Sequence, residues 1–150
     1  MDLTPDELAG MIGLFGALDR EESLDACREI VFRDTGETIT KEQVEKWIES
    51  ALDSYHLVET TADGEDILIP GPTSFPTVPE GAEDLPHILN IQVRQVERNQ
   101  VAREILEEIE QMAASDPTDE RIQKLIGLTY DVESWADVDA AAVRSRLDEA

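Results

Sequence analysis

The chain has 150 residues, of which 35 are acidic and 12 basic, for a formal net charge of −23. That length fits one ordinary domain or two very small ones and is enough to bury a core. The acids are spread along the whole chain, so the total charge alone does not exclude a nucleic-acid partner. No apolar run approaches the roughly 18 residues of a membrane span, so no membrane role is expected. Met1-Asp2-Leu3-Thr4-Pro5-Asp6 lacks the basic and apolar regions of a signal peptide. Cys27 has no second cysteine to pair with, and a cytoplasmic protein is expected.

The acids run from Asp2 to Glu149 and alternate with well-spaced apolar residues, which is the pattern of a folded, acid-coated surface rather than of a disordered acidic tail. In dilute buffer so many uncompensated charges repel one another and weaken the compact state. At roughly 1 M salt the Debye length shrinks to about 3 Å and the repulsion is screened. The composition therefore reads as halophilic. The alternative is an acidic protein of ordinary salt that binds a basic partner.

The first predicted helix opens with Thr4 as N-cap, Pro5 at the first helical position and Glu7 closing a capping box. Leu8, Met11, Ile12, Phe15 and Leu18 follow at helical spacing. Gly10, Gly13 and Gly16 lie three apart and predict a face that another element approaches closely. They are not a phosphate loop, because no strand precedes them and no P-loop lysine follows. A second helix starts at Asp19, with Glu22 three residues on, buries Leu24, Cys27, Ile30 and Val31, and stops at Gly36. A third is capped by Thr40 and Gln43. It sets Val44, Trp47, Ile48, Ala51, Leu52 and Tyr55 on one stripe, with Glu42 and Lys46 in favourable i,i+4 order on the other side.

The period then changes. Residues 56–60 read as a strand, Asp63-Gly64 as a hairpin turn, and residues 66–70 as the returning strand, ended by Pro70. Five of the seven prolines fall between Pro70 and Pro86. That stretch excludes a regular helix, yet its Phe75, Val78, Leu85, Ile88 and Leu89 predict an extended segment packed on the protein surface. The back half is helical. Residues 96–114 carry Val101, Ile105, Ile109 and Met112. A second helix restarts at Asp116-Pro117 with Ile122, Leu125, Ile126 and Leu128. Tyr130, Val132 and Trp135 are expected in a connection, and Asp139 is expected to cap a last helix holding Val143 and Leu147.

Signals for chemistry are sparse. His56 and His87 have no partner at metal-ligand spacing, and packing or backbone bonding accounts for both. Asp63-Gly64-Glu65-Asp66 lacks the ligand positions of a calcium loop and reads as a turn. Cys27, on an apolar face, reads as a buried thiol. No nucleophile elbow, P-loop or dinucleotide fingerprint is present. No catalytic residue, metal site or cofactor is therefore expected, and the chain is read as not an enzyme. An enzyme with an unrecognised carboxylate site is the remote alternative.

The order of elements in residues 4–70 resembles the winged-helix superfamily. The resemblance implies a reading helix at Thr40–Tyr55 and a wing at Thr60–Asp66. It would place the third helix in a DNA groove, but the exposed side of that helix sets only Lys41 and Lys46 against Glu42, Glu45, Glu49 and Asp53, and the wing carries Asp63, Glu65 and Asp66. Phosphate contacts normally supply affinity through lysine and arginine, so the charge favours protein contact. One stretch, with Arg94, Arg98 and Arg103 against Glu97 and Glu104, is locally basic. These arginines either pair with acids on neighbouring helices or form a contact patch.

The chain from Leu3-Thr4-Pro5-Asp6-Glu7-Leu8 through Pro79-Glu80-Gly81-Ala82-Glu83-Asp84-Leu85-Pro86-His87 is also similar to a family of small acidic proteins from halophilic archaea. That resemblance implies one architecture and a salt-rich cytosol, and no activity. The expected fold is mainly α with a small β-hairpin. It comprises a winged-helix-like module at 1–70, a proline-rich ordered crossing at 71–90 and a helical subdomain at 91–150. The expected function is non-enzymatic interaction or regulation through a protein partner or self-association, with Lys41, Lys46, Arg94, Arg98 and Arg103 as contact candidates. A DNA-binding regulator is the alternative.

Overall fold

The computed structural model describes residues 2–150. They form a mainly helical chain with one two-stranded antiparallel hairpin, as the sequence pattern predicts. The helices are α1 (Pro5–Gly13), α2 (Arg20–Thr35), α3 (Lys41–Asp53), α4 (Leu85–Ile88), α5 (Arg98–Ala113), α6 (Asp119–Trp135) and α7 (Ala141–Glu149). The strands are β1 (Leu57–Ala62) and β2 (Glu65–Pro70). The chain divides into two compact units, the first ending at Val96 and the second running from Glu97 to Ala150.

In the first unit the local signals act where the sequence puts them. Thr4 and Glu7 close a reciprocal capping box on α1, and Asp19 and Glu22 do the same on α2. Gly36 ends α2 in the left-handed conformation at φ 73°, a geometry that costs a residue with a Cβ about 1–2 kcal/mol. Asp63 and Gly64 both take positive φ, the geometry of a two-residue hairpin turn. The turn sets the register from Ala62 opposite Glu65 to Leu57 opposite Pro70.

In this unit the structure differs from the sequence expectation at three places. α1 ends at Gly13 rather than continuing to Leu18. Gly16 turns the chain at φ 76°, and Leu18 becomes extended, exchanging backbone hydrogen bonds with Leu68 of β2 at 3.1 and 2.7 Å. A spacing of three or four residues cannot separate a helix from a helix followed by a turn when the same side chains are buried either way. α3 ends at Asp53, and Tyr55 stands outside it at φ 59°. Third, the crossing is not extended throughout. Leu85–Ile88 form one helical turn, with Pro86 in its first turn, where the missing N–H has no intrahelical partner to lose.

The core of this unit gathers Leu8, Met11, Ile12 and Phe15 from the α1 region, Cys27 and Ile30 from α2, Val44 and Ile48 from α3, Leu57 and Leu68 from the hairpin, and Leu85 from α4. Burying each large side chain contributes about 1.5–3 kcal/mol before the cost of ordering the chain. Of the three glycines in the α1 region, Gly10 and Gly16 admit backbone, whereas a Cβ on Gly13 would meet only the Pro70 ring at 3.4 Å. The Thr77 carbonyl sits where a Cβ on Gly10 would be, and the Arg94 carbonyl where one on Gly16 would be. The proline-rich segment is thereby seated on α1, with Thr77 N–H donating to Asp6 O at 3.0 Å and Phe75 N–H to Asp6 Oδ1 at 2.9 Å.

The second unit packs α5, α6 and α7 together. Ile105 and Ile109 of α5, Leu125 and Val132 of α6, and Val143 and Leu147 of α7 are buried. α6 runs unbroken through Tyr130, Val132 and Trp135, which corrects the expected connection. Val132 continues the stripe of Leu125 and Leu128, while the exposed Tyr130 falls off it, so side-chain character alone misplaced the helix end. Asp139 assists α7 from one position before its N-cap, its Oδ1 accepting from Ala141 N–H at 2.9 Å.

Candidate functional site

The outer side of α3 is polar and exposed. The stripe Val44, Ile48 and Ala51 is buried, so the helix necessarily turns Lys41, Glu42, Glu45, Lys46, Glu49 and Asp53 to solvent. Glu42, Glu45, Lys46, Glu49, Ser50 and Asp53 line one shallow concavity of about 530 Å³. Lys41 lies one turn from Glu45, 3.9 Å from its carboxylate. Lys46 is the one cation among four acids in that concavity.

A residue that no sequence motif singles out organises this face. Arg20, at the start of α2, donates through Nε and Nη2 to Glu59 of β1 at 2.9 and 3.1 Å, and through Nη1 to Glu49 of α3 at 2.9 Å. Its guanidinium is held strongly protonated by the bonds to Glu59, against some desolvation. The hydrogen bonds tie the hairpin to α3 and occupy a cation that lies near the acidic surface. Only the fold brings these residues, 29 and 39 positions apart, together.

Arg94 belongs to the first unit. It donates to Glu22 at 2.7 Å and to the Ala17 carbonyl at 3.1 Å, and its second arm lies 3.4 Å from Glu65. Burial pushes the Glu22 carboxyl up. The Arg94 hydrogen bond, the Asp19 backbone N–H and the neighbouring charge outweigh that, leaving it below the ordinary carboxylate range. Arg98 and Arg103 belong to the second unit. Arg98 lies over the Trp135 ring, 5.0 Å from its centroid, and donates to the Trp135 carbonyl at 3.3 Å. Arg103 reaches Gln100 at 3.3 Å. In the same unit Arg144 lies over Tyr130 at 4.2 Å and pairs with Glu133 at 2.6 Å.

His56 has acquired neighbours that sequence spacing could not show. Its Nδ1 is 2.6 Å from Ser54 Oγ, and its Nε2 is 3.8 Å from Asp6 Oδ1. The residue types are those of a nucleophile triad, but the geometry is that of a helix end. The Ser54 hydroxyl also lies within hydrogen-bond reach of the carbonyls of Ser50 and Ala51, 3.1 and 3.3 Å away, at the last turn of α3. Asp6 Oδ1 is engaged by Phe75 N–H. The group clasps the start of α1, the end of α3 and the proline-rich segment. His87 is exposed on α4. Cys27 is buried, and desolvation pushes its thiol up to about 12, which keeps it un-ionised at neutral pH. Among the described residues no group of three or more His, Cys, Asp or Glu is placed to hold a metal ion, and no helix is long and apolar enough to cross a membrane.

A second concavity, of about 610 Å³, lies between α2, the connection after it and the end of α4. Phe32, Ile39 and Leu89 are its apolar lining, and Asp25, Arg28, Glu29 and Glu37 its polar lining. A signal for it existed in the sequence. Phe32 follows Ile30 and Val31 directly, so it cannot share their face of α2, and it is 58% exposed.

Residues 6–150 match a family of unknown function, DUF7109. No curated protein and no solved structure matches the chain.

Proposed function

The chain belongs to the DUF7109 family, which brings no activity with it, and from its own residues we propose that it is a non-enzymatic interaction protein whose first unit is a winged-helix-like module used for protein contact. Support for the module comes from the order α1, the extended Leu18 bonded to Leu68, α2, α3, β1, turn, β2. The single observation that carries the choice of partner is the charge of α3 and the hairpin tip. Glu42, Glu45, Glu49 and Asp53 share one concavity with Lys46, and Asp63, Glu65 and Asp66 are exposed at the turn. A DNA backbone brought to this face meets like charge, whereas a basic protein surface meets complementary charge.

We further propose that the acid coat is an adaptation to concentrated salt. Residues 1–96 hold 21 acids and 6 bases, a net −15, and residues 97–150 hold 14 acids and 6 bases, a net −8. Charge per residue is nearly the same in both, as expected for adaptation to a solvent rather than to one target. A cytoplasmic, archaeal setting belongs to the same reading.

The test is recovery of partners from native extract in molar potassium chloride. A defined protein partner without nucleic acid, lost when Glu42→Lys and Glu45→Lys reverse the face, supports the reading. A specific shift of a promoter fragment at the same salt, lost in Lys41→Glu/Lys46→Glu, overturns it in favour of a DNA-binding regulator.

A further inference from the structure

The concavity beside Phe32 is a different surface from the outer face of α3, and its chemistry points to a definite kind of occupant. Its walls are fixed. Gly36 ends α2 with a backbone hydrogen bond to Phe32 O at 2.8 Å. Arg33 ties the end of α2 to the Gly81 carbonyl at 3.2 Å, and Arg28 reaches the Ile39 carbonyl at 3.5 Å. Ile39 and Leu89 pack against the core behind them, so the apolar floor is continuous with the interior. Phe32 alone stands largely free of it, at 58% exposure. An aromatic ring left largely in water on a fixed wall gains upon being covered.

The rim selects what covers it. Asp25, Glu29 and Glu37 face one cation, Arg28, among the lining residues. Glu29 is also shared with Arg33 at 3.5 Å. The surface is therefore an apolar floor with a net negative edge. A second copy of this chain, with 35 acids against 12 bases, offers that edge few cations at contact distance. A partner helix with an apolar stripe and a basic flank satisfies both the floor and the edge, by the helix-in-groove mode in which anchors recur at i, i+3, i+4 and i+7. The volume, about 610 Å³, lies within the range of concave sites that bind ligands.

We propose that this groove docks a cationic amphipathic helix of a partner protein, with Phe32, Ile39 and Leu89 receiving its apolar anchors. The assignment rests on the reading of the chain as an interaction protein, to which it adds the partner's chemical class and a second contact surface.

The experiment uses the full chain and two fluorescently labelled peptides of about 16 residues, long enough for several helical turns. One sets leucines at i, i+3, i+4 and i+7 among lysines and alanines. The other scrambles the same composition so that no apolar face forms. Anisotropy is measured at about 2 M potassium chloride, where general attraction to an acidic protein is screened. Expected is saturable binding of the patterned peptide, at least tenfold tighter than the scrambled one. Phe32→Ala and, separately, Leu89→Ala weaken it by about tenfold or more, the signature of an anchor contact. Phe75→Ala, which removes another exposed ring, leaves it unchanged, and thermal melts confirm that each variant is folded. Equal binding of both peptides, no binding of either, or binding indifferent to Phe32 and Leu89 overturns the assignment. Failure here with retention of a partner sensitive to the α3 charge reversals removes the groove and leaves the interaction reading standing.

Discussion

The two units reach a packed state by different means. In the first, backbone meets backbone: the segment at Thr77 lies in the space a side chain at Gly10 would take, and the segment at Arg94 does the same at Gly16. In the second, three helices meet through Ile, Leu and Val side chains, and a Cβ on its one glycine, Gly127, would touch nothing. A unit closed by backbone approach has no slack, since a methyl group cannot be accommodated by a rotamer change. A unit closed by side chains can repack. The first unit should therefore fail sharply at single positions where the second gives way by degrees.

Salt should move both units, and a difference between them would break the idea that the charge serves the solvent. Each unit holds one tryptophan, Trp47 and Trp135, so the variants Trp135→Phe and Trp47→Phe report on one unit at a time. Both midpoints are expected to rise steeply between about 0.1 and 2 M potassium chloride as repulsion is screened. A midpoint that is flat with salt in either unit contradicts the halophilic reading for that unit.

Gly16→Ala is the sharpest test of backbone closure. It combines a positive φ, costing about 1–2 kcal/mol, with overlap against the Arg94 carbonyl, costing about 1–3 kcal/mol. Denaturant melts followed at Trp47 should lose about 3 kcal/mol, and Gly10→Ala, without the positive φ, should lose somewhat less.

Arg94→Met comes next, at about 1–2 kcal/mol, because it leaves the half-buried Glu22 carboxylate without its charged donor. Its pH dependence has a definite sign. Glu22 is below its ordinary range in the folded chain, so its contribution is fully present above the unfolded glutamate value near 4.3 and is lost as pH falls from there toward the lowered folded value. The variant should show a shallower loss of stability on the acid side. In the second unit Glu133 is lowered by its hydrogen bond with Arg144 and acts in the same direction. Glu108, raised by burial and by Glu104, and Asp131, raised by burial, act oppositely and gain stability as pH falls. The acid limb at Trp135 should accordingly be flatter than at Trp47.

The smallest effect should have the opposite sign. Gly127→Ala places a better helix former in the interior of α6 where nothing obstructs it, and should stabilise the second unit by about 0.5–1 kcal/mol. A loss instead would mean that this face is closely approached, and the contrast between the units would fail.

The helix starts at Thr4, Asp19 and Thr40, the stop at Gly36 and the turn at Asp63-Gly64 were legible because each is decided by a few neighbouring residues: a side-chain oxygen within reach of a free N–H, or a backbone that only certain residues tolerate. The apolar stripe of α3, and with it the acidic face opposite, followed from the helical period alone. The glycines at 10 and 16 anticipated close approach, though Gly16 lies past the end of α1 and Gly13 meets only a side chain. The sequence could not say which segment would approach. Thr77 and Arg94 reach Gly10 and Gly16 from 67 and 78 positions away, and such pairings are fixed by the loss of water from the whole core rather than by any local preference. The same holds for Arg20 between Glu49 and Glu59, for His56 between Ser54 and Asp6, and for the groove at Phe32. The acidic total determined how the surface meets its solvent. Only tertiary structure decided which acids are engaged by arginine and which stand free to meet a partner, because a charge pair forms where the packed backbone brings its two ends within a few ångströms.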